Sequence, residues 1–407
     1  MDARRRTPRI SIAALALGLC LTLGIEAPAG AHGGHYHRGT SPLTSTPDHL
    51  PVWAADFMAG AVTVSEARAI RQARHFDVIV ALKGTYAPYV TAMKAANPDL
   101  TLLVYLNGVM AQSNQGSAYP PGWYATDAQG DRVRSVGFGN YLMRPDNPGW
   151  VDDVTSRCRS FLNESGYDGC FLDVLGTAPL TPGYVTSLPV DPSTGEVWTR
   201  SAWMAATDRI ARATRGGVAP APVFGNGLAD GARYFSSDPS STILDSLDGA
   251  MAEQFVRDPT APVERFRHRD EWWKDVLMLS DAARRGKATF AMTKVWTTAS
   301  RRQITAVQRY ALGTFLLGYQ PGQGFFSFRS DHGLTRYRPV WSTDLGDPLG
   351  PARRHGRAFV RRFQHGIVVV NPTAARIHVR FGRRAGSRGR LAARVVVGAH
   401  SASILTA

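Results

Sequence analysis

The sequence is poor in cysteine and lysine, and it lacks several motifs that mark common enzyme classes. Among its 407 residues there are three cysteines. No Gly-x-Ser-x-Gly or His-Glu-x-x-His motif occurs, which argues against a serine hydrolase of that type and against a zincin. No Gly-rich phosphate fingerprint follows the first apolar run, which argues against a dinucleotide-binding fold. We therefore expect no cofactor and no metal, although a metal-dependent hydrolase assembled from distant Asp and His residues stays open.

Acidic residues are also scarce relative to basic ones. The chain has 32 Asp and Glu against 47 Lys and Arg, a net charge of +15. Such an excess is typical of proteins that bind nucleic acid or other anionic polymers. Here the basic residues are almost all arginine and are spread widely, with the densest group between Arg353 and Arg394. This spread predicts no nucleic-acid partner and leaves a weak affinity for acidic cell-surface polymers open.

The first 31 residues have the pattern of a secretory signal peptide. Arg4-Arg5-Arg6 precede an apolar run from Ile10 to Ile25, and Ala29-Gly30-Ala31 supply a small-residue cleavage site. The run is short for a membrane span, and no later stretch is apolar enough for one. We expect a secreted, extracellular monomer without stable membrane insertion, whose residues 32–48 form a flexible lead-in.

From residue 49 onward, short apolar runs alternate with segments of helical periodicity. Eight runs predict strands at 50–57, 77–82, 100–106, 167–176, 222–227, 247–255, 288–295 and 324–328. Helices are predicted between them at 64–75, 89–96, 150–164, 199–215, 263–285 and 303–317. This count and size favour an α/β fold in which residues 49–350 form a (β/α)₈ TIM barrel. A doubly wound open sheet is the less favoured alternative.

After Gly350 the pattern changes to short alternating runs between turns. Strands are predicted at 358–363, 366–372, 376–381 and 394–397. Residues 351–407 should therefore form a small C-terminal antiparallel β domain, and one of this size needs to pack on the barrel.

Two cysteines remain once the leader, which contains Cys20, is removed. Cys158 falls on a predicted helix and Cys170 on the strand that follows it. Export would make a disulfide between them chemically feasible. Buried free thiols are the alternative, and the sequence leaves both open.

Two carboxylates fall at the far ends of the fourth and sixth predicted strands, where barrel enzymes carry their catalytic groups. Asp173 ends the run that follows Asp168-Gly169, and Glu253 ends the run that follows Asp248-Gly249. Cleavage of a glycosidic bond needs one carboxyl group to protonate the leaving oxygen and a second to attack or to activate water. We predict Asp173 as the nucleophile and Glu253 as the acid/base. Asp168 and Asp248 should be turn or cap residues at the opposite end.

Further polar or aromatic residues near strand ends or in the loops are candidate sugar contacts. Each could instead be a supporting or surface residue. They are Asp56, Lys83, Tyr105, Asn107, Trp123, Asn226, Lys294 and Trp296.

Three stretches, in this order along the chain, resemble a known family. They are Asp-Gly-Cys-Phe-Leu-Asp at 168–173, Asp-Gly-Ala-Met-Ala-Glu at 248–253 and Phe-Gln-His-Gly-Ile-Val-Val-Val-Asn-Pro at 363–372. The family is hypothetical glycosyl hydrolase family 15, and the resemblance covers about residues 48–400. It implies a TIM barrel followed by a small β domain, with Asp173 and Glu253 matching the two carboxylates of the pattern. The resemblance supplies no substrate.

The combined hypothesis is a secreted glycoside hydrolase that cleaves a polysaccharide or a cell-surface glycan with two carboxylates. The competing hypothesis is a barrel that binds carbohydrate in the same cleft without cleaving it. The first requires catalysis by Asp173 and Glu253, whereas the second requires only the cleft.

Overall fold

The computed structural model describes residue 43 and residues 49–381 and 394–406, all within one compact unit. The predicted signal peptide (1–31) lies outside the described residues, as does all of the lead-in (32–48) except Leu43. Among the described helices, none combines the length and apolar character needed to cross a bilayer.

Eight parallel strands form one sheet in which each strand pairs with the next along the chain. Their order is β1 to β8 without exchange, and a parallel bridge between Val52 and Phe326 joins the last strand to the first. The predicted (β/α)₈ barrel is therefore confirmed. The strands are β1 (Trp53–Ala55), β2 (Val78–Ala81), β3 (Thr101–Asn107), β4 (Gly169–Asp173), β5 (Val223–Asn226), β6 (Gly249–Ala252), β7 (Ala288–Lys294) and β8 (Gly324–Arg329).

Six longer helices cover the sheet, and several begin at residues chosen for that role. The Asn147 and Thr199 side chains accept hydrogen bonds from backbone N–H groups of the first turn, and Ser300 forms a capping box with Gln303. The helices are α1 (Glu66–Ala73), α2 (Val90–Ala96), α3 (Pro148–Ser165), α4 (Arg200–Val218), α5 (Arg269–Arg284) and α6 (Arg301–Gly318).

Several elements begin or end differently from their sequence pattern, and two of these differences have a clear physical cause. The first strand stops at Ala55 because the chain turns into a 3-10 helix over Asp56–Ala59. Helix α5 starts six residues later than the predicted 263. The Arg257 guanidinium donates to the carbonyl oxygens of Ala261 and Pro262, and these bonds hold the preceding segment as a loop.

Alternation along the strands decides which side chains enter the barrel. Phe171, Phe224 and Phe290 fill the interior together with Trp53, in a cluster separate from the layer beneath the helices. Since neighbouring residues of a strand face opposite sides, the residues two positions further along point inward as well. At the C-terminal ends of β4 to β7, the inward-pointing residues beyond the aromatic layer are polar.

The bottom of the barrel is closed by a repeated backbone lock. Asp77, Asp168 and Asp248 each precede an even-numbered strand. Each donates its N–H to a carbonyl oxygen of the preceding strand and accepts, on Oδ2, the N–H of that same residue. The pairs are Asp77 with Val52, Asp168 with Leu102, and Asp248 with Val223, at 2.6–3.1 Å. Each carboxylate thereby satisfies a backbone donor that would otherwise lack a partner at the strand end.

The chain after Gly350 forms the predicted antiparallel β domain, with two strands that the sequence pattern missed. A four-stranded sheet has the order β9-β10-β11-β14, and β12 pairs with β13. The two missed strands are the first and the last. The strands are β9 (Arg353–His355), β10 (Ala358–Phe363), β11 (Gly366–Asn371), β12 (Ile377–Arg380), β13 (Arg394–Val397) and β14 (Ser401–Thr406).

This β domain packs on the end of α6. Gly313 lies so close to Ala402 that a Cβ at residue 313 would come within 2.3 Å of the alanine Cβ. The buried Arg361 guanidinium donates to the carbonyl oxygens of Leu316 (3.0 Å) and Tyr319 (2.6 Å), at the helix C-terminus. Cationic donors at that end satisfy carbonyls that have no partner within the helix. The contact is therefore both apolar and polar.

Cys158 of α3 and Cys170 of β4 form a disulfide, with their Cα atoms 6.2 Å apart. Cys170 faces the helix layer because Phe171, its neighbour, faces the barrel interior. The bond ties α3 to the strand that ends at Asp173.

Candidate active site

A cavity of about 530 Å³ opens at the C-terminal ends of the barrel strands. It lies directly above the aromatic layer, and the long loop after β3 contributes to its wall through Ser135, Phe138 and Asn140. Both predicted catalytic carboxylates line it. Five of the predicted sugar contacts line it as well, namely Tyr105, Asn107, Asn226, Lys294 and Trp296.

Asp173 is held by three hydrogen-bond donors. Its Oδ2 accepts the Tyr105 hydroxyl at 2.6 Å, and its Oδ1 accepts Asn226 Nδ2 at 2.9 Å and the backbone N–H of Val174 at 2.8 Å. Val174 adopts a φ of 61°, which is unusual for a β-branched residue. Strained backbone of this kind tends to occur at functional sites. The result is a carboxylate with a fixed orientation.

Glu253 is held by two side chains, one on each carboxylate oxygen. Lys294 Nζ lies 2.5 Å from Oε1, and Asn226 Nδ2 lies 2.9 Å from Oε2. The Lys294 side chain is 7% exposed and that of Glu253 is 34% exposed. Glu253 therefore reaches further into the open part of the cavity than its cationic partner.

Asn226 bridges the two carboxylates with a single nitrogen. Nδ2 lies 2.9 Å from Asp173 Oδ1 and 2.9 Å from Glu253 Oε2. The two N–H bonds of an amide diverge by roughly 120°, so the two acceptor oxygens lie about 5 Å apart. This spacing is the one found between the carboxyl groups of retaining glycosidases.

The surroundings shift the pKa values of the two carboxyl groups in opposite directions. Burial, followed by the nearby charge of Glu253, raises the pKa of Asp173, and its three donors offset this only in part. Burial also acts to raise the pKa of Glu253. The Lys294 ammonium, through its charge and hydrogen bond, and Asn226 together outweigh burial and lower the pKa of Glu253. Of the two carboxyl groups, Asp173 is therefore the one that binds a proton more readily in the free protein.

Tyr105 acts as a permanent donor to Asp173. Burial and the neighbouring carboxylate raise the pKa of its hydroxyl well above the ordinary value, so the phenol stays protonated. Its ring stacks on Phe57 with centroids 4.6 Å apart, which fixes the direction of the hydroxyl.

Asp56 and Lys83, predicted as sugar contacts, are not brought into the cavity. Ala55 and Val80 face the barrel interior, and alternation turns Asp56 away from it and leaves Lys83 on the wrong side as well. Asp56 is fully buried and accepts hydrogen bonds from Tyr86, Gln72 and the backbone of Thr335, and Lys83 pairs with Glu164 of α3. The structure gives both residues supporting contacts.

Trp123 is likewise not among the residues that line the cavity. It belongs to the long loop after β3, where its ring stacks on Tyr119 with centroids 5.6 Å apart and contacts Gly149 at the start of α3. Its contacts anchor the loop to α3.

Several cavity residues were missed in the sequence. Phe57 follows from alternation after Ala55, a signal that was available. Phe138, which is 76% exposed, Tyr184 and His332 come from loops, where no periodicity indicates direction. His332 stacks on Trp296 with centroids 4.6 Å apart, so together they form a flat aromatic wall.

The described part of the chain contains no group of three His, Cys, Asp or Glu side chains arranged to hold a metal ion. Aromatic walls around two carboxylates and an amide are typical instead of sites that bind sugars, whose C–H faces pack on rings.

Solved structures with a similar fold include several glycoside hydrolases. A maltogenic α-amylase, AmyB from Thermotoga neapolitana, is 12% identical, with 88% of this chain and 96% of that chain covered and a TM-score of 0.51. The glycoside hydrolase domain of PelA from Pseudomonas aeruginosa is 14% identical, covering 72% of this chain and 96% of that one, with a TM-score of 0.46. At such identities the likeness shows the fold alone. A search of curated protein sequences finds no match.

A sequence model of one family matches residues 94–367, more than half of the chain. The matched segment contains Asp173, Glu253, Asn226 and Lys294, the four polar groups at the centre of the cavity. It is the family that the three sequence stretches resemble, and its name assigns it to the glycoside hydrolases. The chain belongs to hypothetical glycosyl hydrolase family 15.

Proposed function

We propose that the protein is a secreted glycoside hydrolase that cleaves O-glycosidic bonds of a polysaccharide or cell-surface glycan with retention of anomeric configuration. The observation that carries this proposal is the single Asn226 nitrogen hydrogen-bonded to both Asp173 and Glu253. Amide geometry then places the two accepting oxygens about 5 Å apart, shorter than the roughly 6.5–9.5 Å between the carboxyl groups of inverting enzymes and suited to direct attack.

In the proposed first step, Asp173 attacks the anomeric carbon while Glu253 donates a proton to the departing oxygen. A bond forms between Asp173 and the sugar as the glycosidic bond breaks. In the second step Glu253 takes a proton from water, whose oxygen attacks the anomeric carbon and releases Asp173. The leaving group departs with the proton that Glu253 donated in the first step. The proton taken from water in the second step restores the protonated Glu253.

Geometry supports this division of roles. Asp173 is fixed by three donors, including a backbone N–H that cannot move away, as a nucleophile aimed at one carbon requires. Glu253 is longer and partly exposed, so it can reach a leaving oxygen and exchange protons with solvent.

The pKa directions of the free protein oppose the same division, because they favour the protonated form at Asp173 and the ionised form at Glu253. For Glu253 to act as the acid, bound substrate must weaken the influence of Lys294, for example by drawing its ammonium to a sugar hydroxyl. The reverse assignment, with Glu253 as nucleophile, is the alternative that these pKa directions favour.

A screen of bacterial and fungal polysaccharides for released reducing sugar tests the activity and finds the substrate. Once a substrate is known, the anomeric configuration of the first product, followed by NMR, tests retention. Asp173→Asn and Glu253→Gln should each lower kcat/KM by about 10³-fold or more, whereas Asp168→Asn, at the other end of the same strand, serves as the matched control. Wild-type-like turnover in both site variants would exclude the two-carboxylate mechanism.

Azide rescue separates the two assignments of roles. In the variant that lacks the nucleophile, azide attacks the anomeric carbon directly and yields a glycosyl azide of inverted configuration. In the variant that lacks the acid/base, azide attacks the covalent intermediate and yields the retained configuration. We expect inversion with Asp173→Asn or Asp173→Ala and retention with Glu253→Gln or Glu253→Ala. The opposite pattern would exchange the roles.

A barrel that binds carbohydrate without cleaving it is the remaining outcome of the screen. Retention of a glycan by the protein, with no reducing ends released from it over long incubation, would establish that reading.

Secretion is supported by the leader pattern of residues 1–31 and by the Cys158–Cys170 disulfide, a bond typical of exported proteins. Mass spectrometry of the protein recovered from the culture medium should find a mature chain that begins at His32. A chain that stays in the cytoplasm with residues 1–31 attached would contradict export.

A further inference from the structure

The C-terminal β domain carries most of the excess positive charge of the chain. Asp347 is the last acidic residue, and the 60 residues after it contain 12 arginines and no Asp, Glu or Lys. Substitution of Lys by Arg through compositional drift would explain the choice of arginine. Drift from Lys to Arg would not explain why all 32 Asp and Glu residues of the chain precede residue 348.

The arginines of this domain differ from those of the barrel in their partners. Among the described residues, the ion pairs between arginine and carboxylates are all formed by arginines up to Arg336. Arg357, Arg376 and Arg380 are exposed and pair with no described carboxylate. Their charge is therefore left to solvent or to an external anion.

The strand register concentrates this charge instead of spreading it. Arg380 of β12 lies directly opposite Arg394 of β13, and both are exposed. Like charges at facing positions of a sheet repel and destabilise it. One of the two, Arg394, donates through Nη2 to His378 Nδ1 at 2.7 Å, a neutral acceptor that leaves the charge uncompensated. An anion bound between these strands would remove the repulsion.

Arg380 and His378 border a groove of about 480 Å³ at the junction of the two C-terminal sheets. His355 Nε2, 3.0 Å from the carbonyl oxygen of Arg380, joins the hairpin between β9 and β10 to the edge of β12. Arg357, Arg376 and Arg380 form an exposed arginine rim along this groove, whereas the adjacent Ala358, Ile377 and Val379 are buried in the core of the domain. The planar guanidinium forks suit carboxylate or sulfate groups.

We propose that this groove is an accessory binding site for an anionic polysaccharide, one whose carboxylate or sulfate groups recur along the chain. The site holds the polymer through the arginine rim while another stretch of the same polymer is cleaved in the barrel. The choice of a polysaccharide over another polyanion rests on the proposed function, whereas the anion site itself rests on the groove.

The test uses the full mature chain carrying Asp173→Asn, so that the polymer is not degraded. Affinity electrophoresis measures retardation in gels that contain polygalacturonate or alginate for carboxylates, dextran sulfate for sulfates, and dextran as the neutral reference. We expect retardation by at least one anionic polymer and none by dextran, with a loss of retardation as salt is raised.

Two triple variants with equal charge change separate the groove from net charge. The groove variant is Arg357→Gln, Arg376→Gln and Arg380→Gln. The control variant carries Arg68→Gln, Arg74→Gln and Arg209→Gln, exposed positions on the barrel. The groove variant should raise the half-saturating polymer concentration by about tenfold or more, and the control by less than about twofold. Thermal unfolding shows whether the two triple variants are folded. If the groove variant unfolds at a lower temperature than wild type, the single variant Arg376→Gln takes its place.

Equal losses in the two triple variants would show attraction by net charge alone and would overturn the proposal. Stronger retardation by double-stranded DNA than by every polysaccharide at the same salt would overturn it as well. Retention without hydrolysis of any glycan by the wild type would instead contradict the proposed function and leave this site standing. Hydrolysis of a neutral glycan, without retardation by any anionic polymer, would support the proposed function and overturn the proposed groove site.

Discussion

The two ends of strands β4 and β6 carry the same kind of side chain in different surroundings. Each strand is flanked by two carboxylates, Asp168 and Asp173 on β4, and Asp248 and Glu253 on β6. At the bottom, each carboxylate accepts a backbone N–H group of the preceding strand and pairs with one basic side chain, and at the top the carboxylates accept donors that converge on a cavity. The cavity and the sharing of one donor by both carboxylates distinguish the candidate catalytic pair from the structural one.

The contrast has an energetic side. A backbone donor at a strand end needs an acceptor, so the bottom carboxylates relieve a cost of folding. At the top, amide geometry places the Asp173 and Glu253 oxygens that accept from Asn226 about 5 Å apart, and burial raises the pKa of Asp173. The bottom is expected to stabilise the barrel, while the top holds a charge that folding alone would not favour.

The largest effect on stability should come from the disulfide that ties the lower half of β4 to α3. Cys158 and Cys170 are 12 residues apart, and closing a loop of this size is worth about 3 kcal/mol. The double variant Cys158→Ala, Cys170→Ala should lower the urea midpoint accordingly and leave the pH profile of activity unchanged. Reductant should reproduce the shift in the wild type and not in the variant. A midpoint insensitive to reductant would mean that the bond is absent in solution.

The next largest effect on stability should come from the backbone locks at the bottom of the barrel. Asp248→Asn and Asp168→Asn should each lower the free energy of unfolding by about 1–3 kcal/mol, since each weakens a charge-assisted hydrogen bond to the backbone. The kcat per folded molecule should stay within about twofold of wild type, because this end of the barrel serves stability. Loss of turnover at temperatures where the variant is folded would break the distinction between the two ends.

Asp173→Asn should raise the stability of the fold, whereas Asp168→Asn and Asp248→Asn should lower it. An acid whose pKa is raised by folding costs stability once the pH exceeds its unfolded value of about 3.9. The Asn variant should therefore melt at a higher temperature than wild type at pH 7, and the difference should vanish below about pH 4, where both states bind the proton. Asparagine can still accept from Val174 and donate to the Tyr105 hydroxyl. A melting temperature below wild type at pH 7 would show that Asp173 stabilises the fold as the bottom carboxylates do.

The smallest effect concerns two of the lysine–carboxylate pairs, Lys294 with Glu253 at the top of the barrel and Lys94 with Asp168 at the bottom. Lys294→Met removes the charge that lowers the pKa of Glu253, so that pKa should rise. If Glu253 is the acid, the alkaline limb of the kcat/KM profile moves to higher pH, which we expect. Movement of the acidic limb would identify Glu253 as the nucleophile. Lys94→Met, which breaks the pair with Asp168, is the matched control and should shift neither limb.

Much of the fold could be predicted because burial dictates it locally. A strand covered on both faces must be apolar throughout, and this pattern located all eight barrel strands within a few residues. The first and last residues of the strands were predicted less accurately. The sequence pattern predicted one strand over residues 50–57, but the chain turns at Asp56, whose carboxylate accepts hydrogen bonds from Tyr86, Gln72 and Thr335 of distant segments. No local pattern records those partners.

The site was predicted in part for a similar reason. Alternation along a strand fixes which residues share the interior, so Tyr105, Asn226 and Lys294 follow from the inward-facing Leu103, Phe224 and Met292. The same rule, applied to Ala55 and Val80, would have replaced Asp56 and Lys83 by Phe57. Phe138, Tyr184 and His332 could not be predicted, because loops have no period that sets the direction of their side chains.

The sequence by itself determined the barrel, the β domain and the carboxylates at the ends of β4 and β6, because each depends on apolar periodicity within a short segment. It also set the segregation of charge after Asp347. Only the tertiary structure decided that one Asn226 nitrogen bonds both Asp173 and Glu253, that Lys294 pairs with Glu253, and that Arg380 faces Arg394. These contacts join residues far apart in the chain, and closure of the barrel and strand register create them.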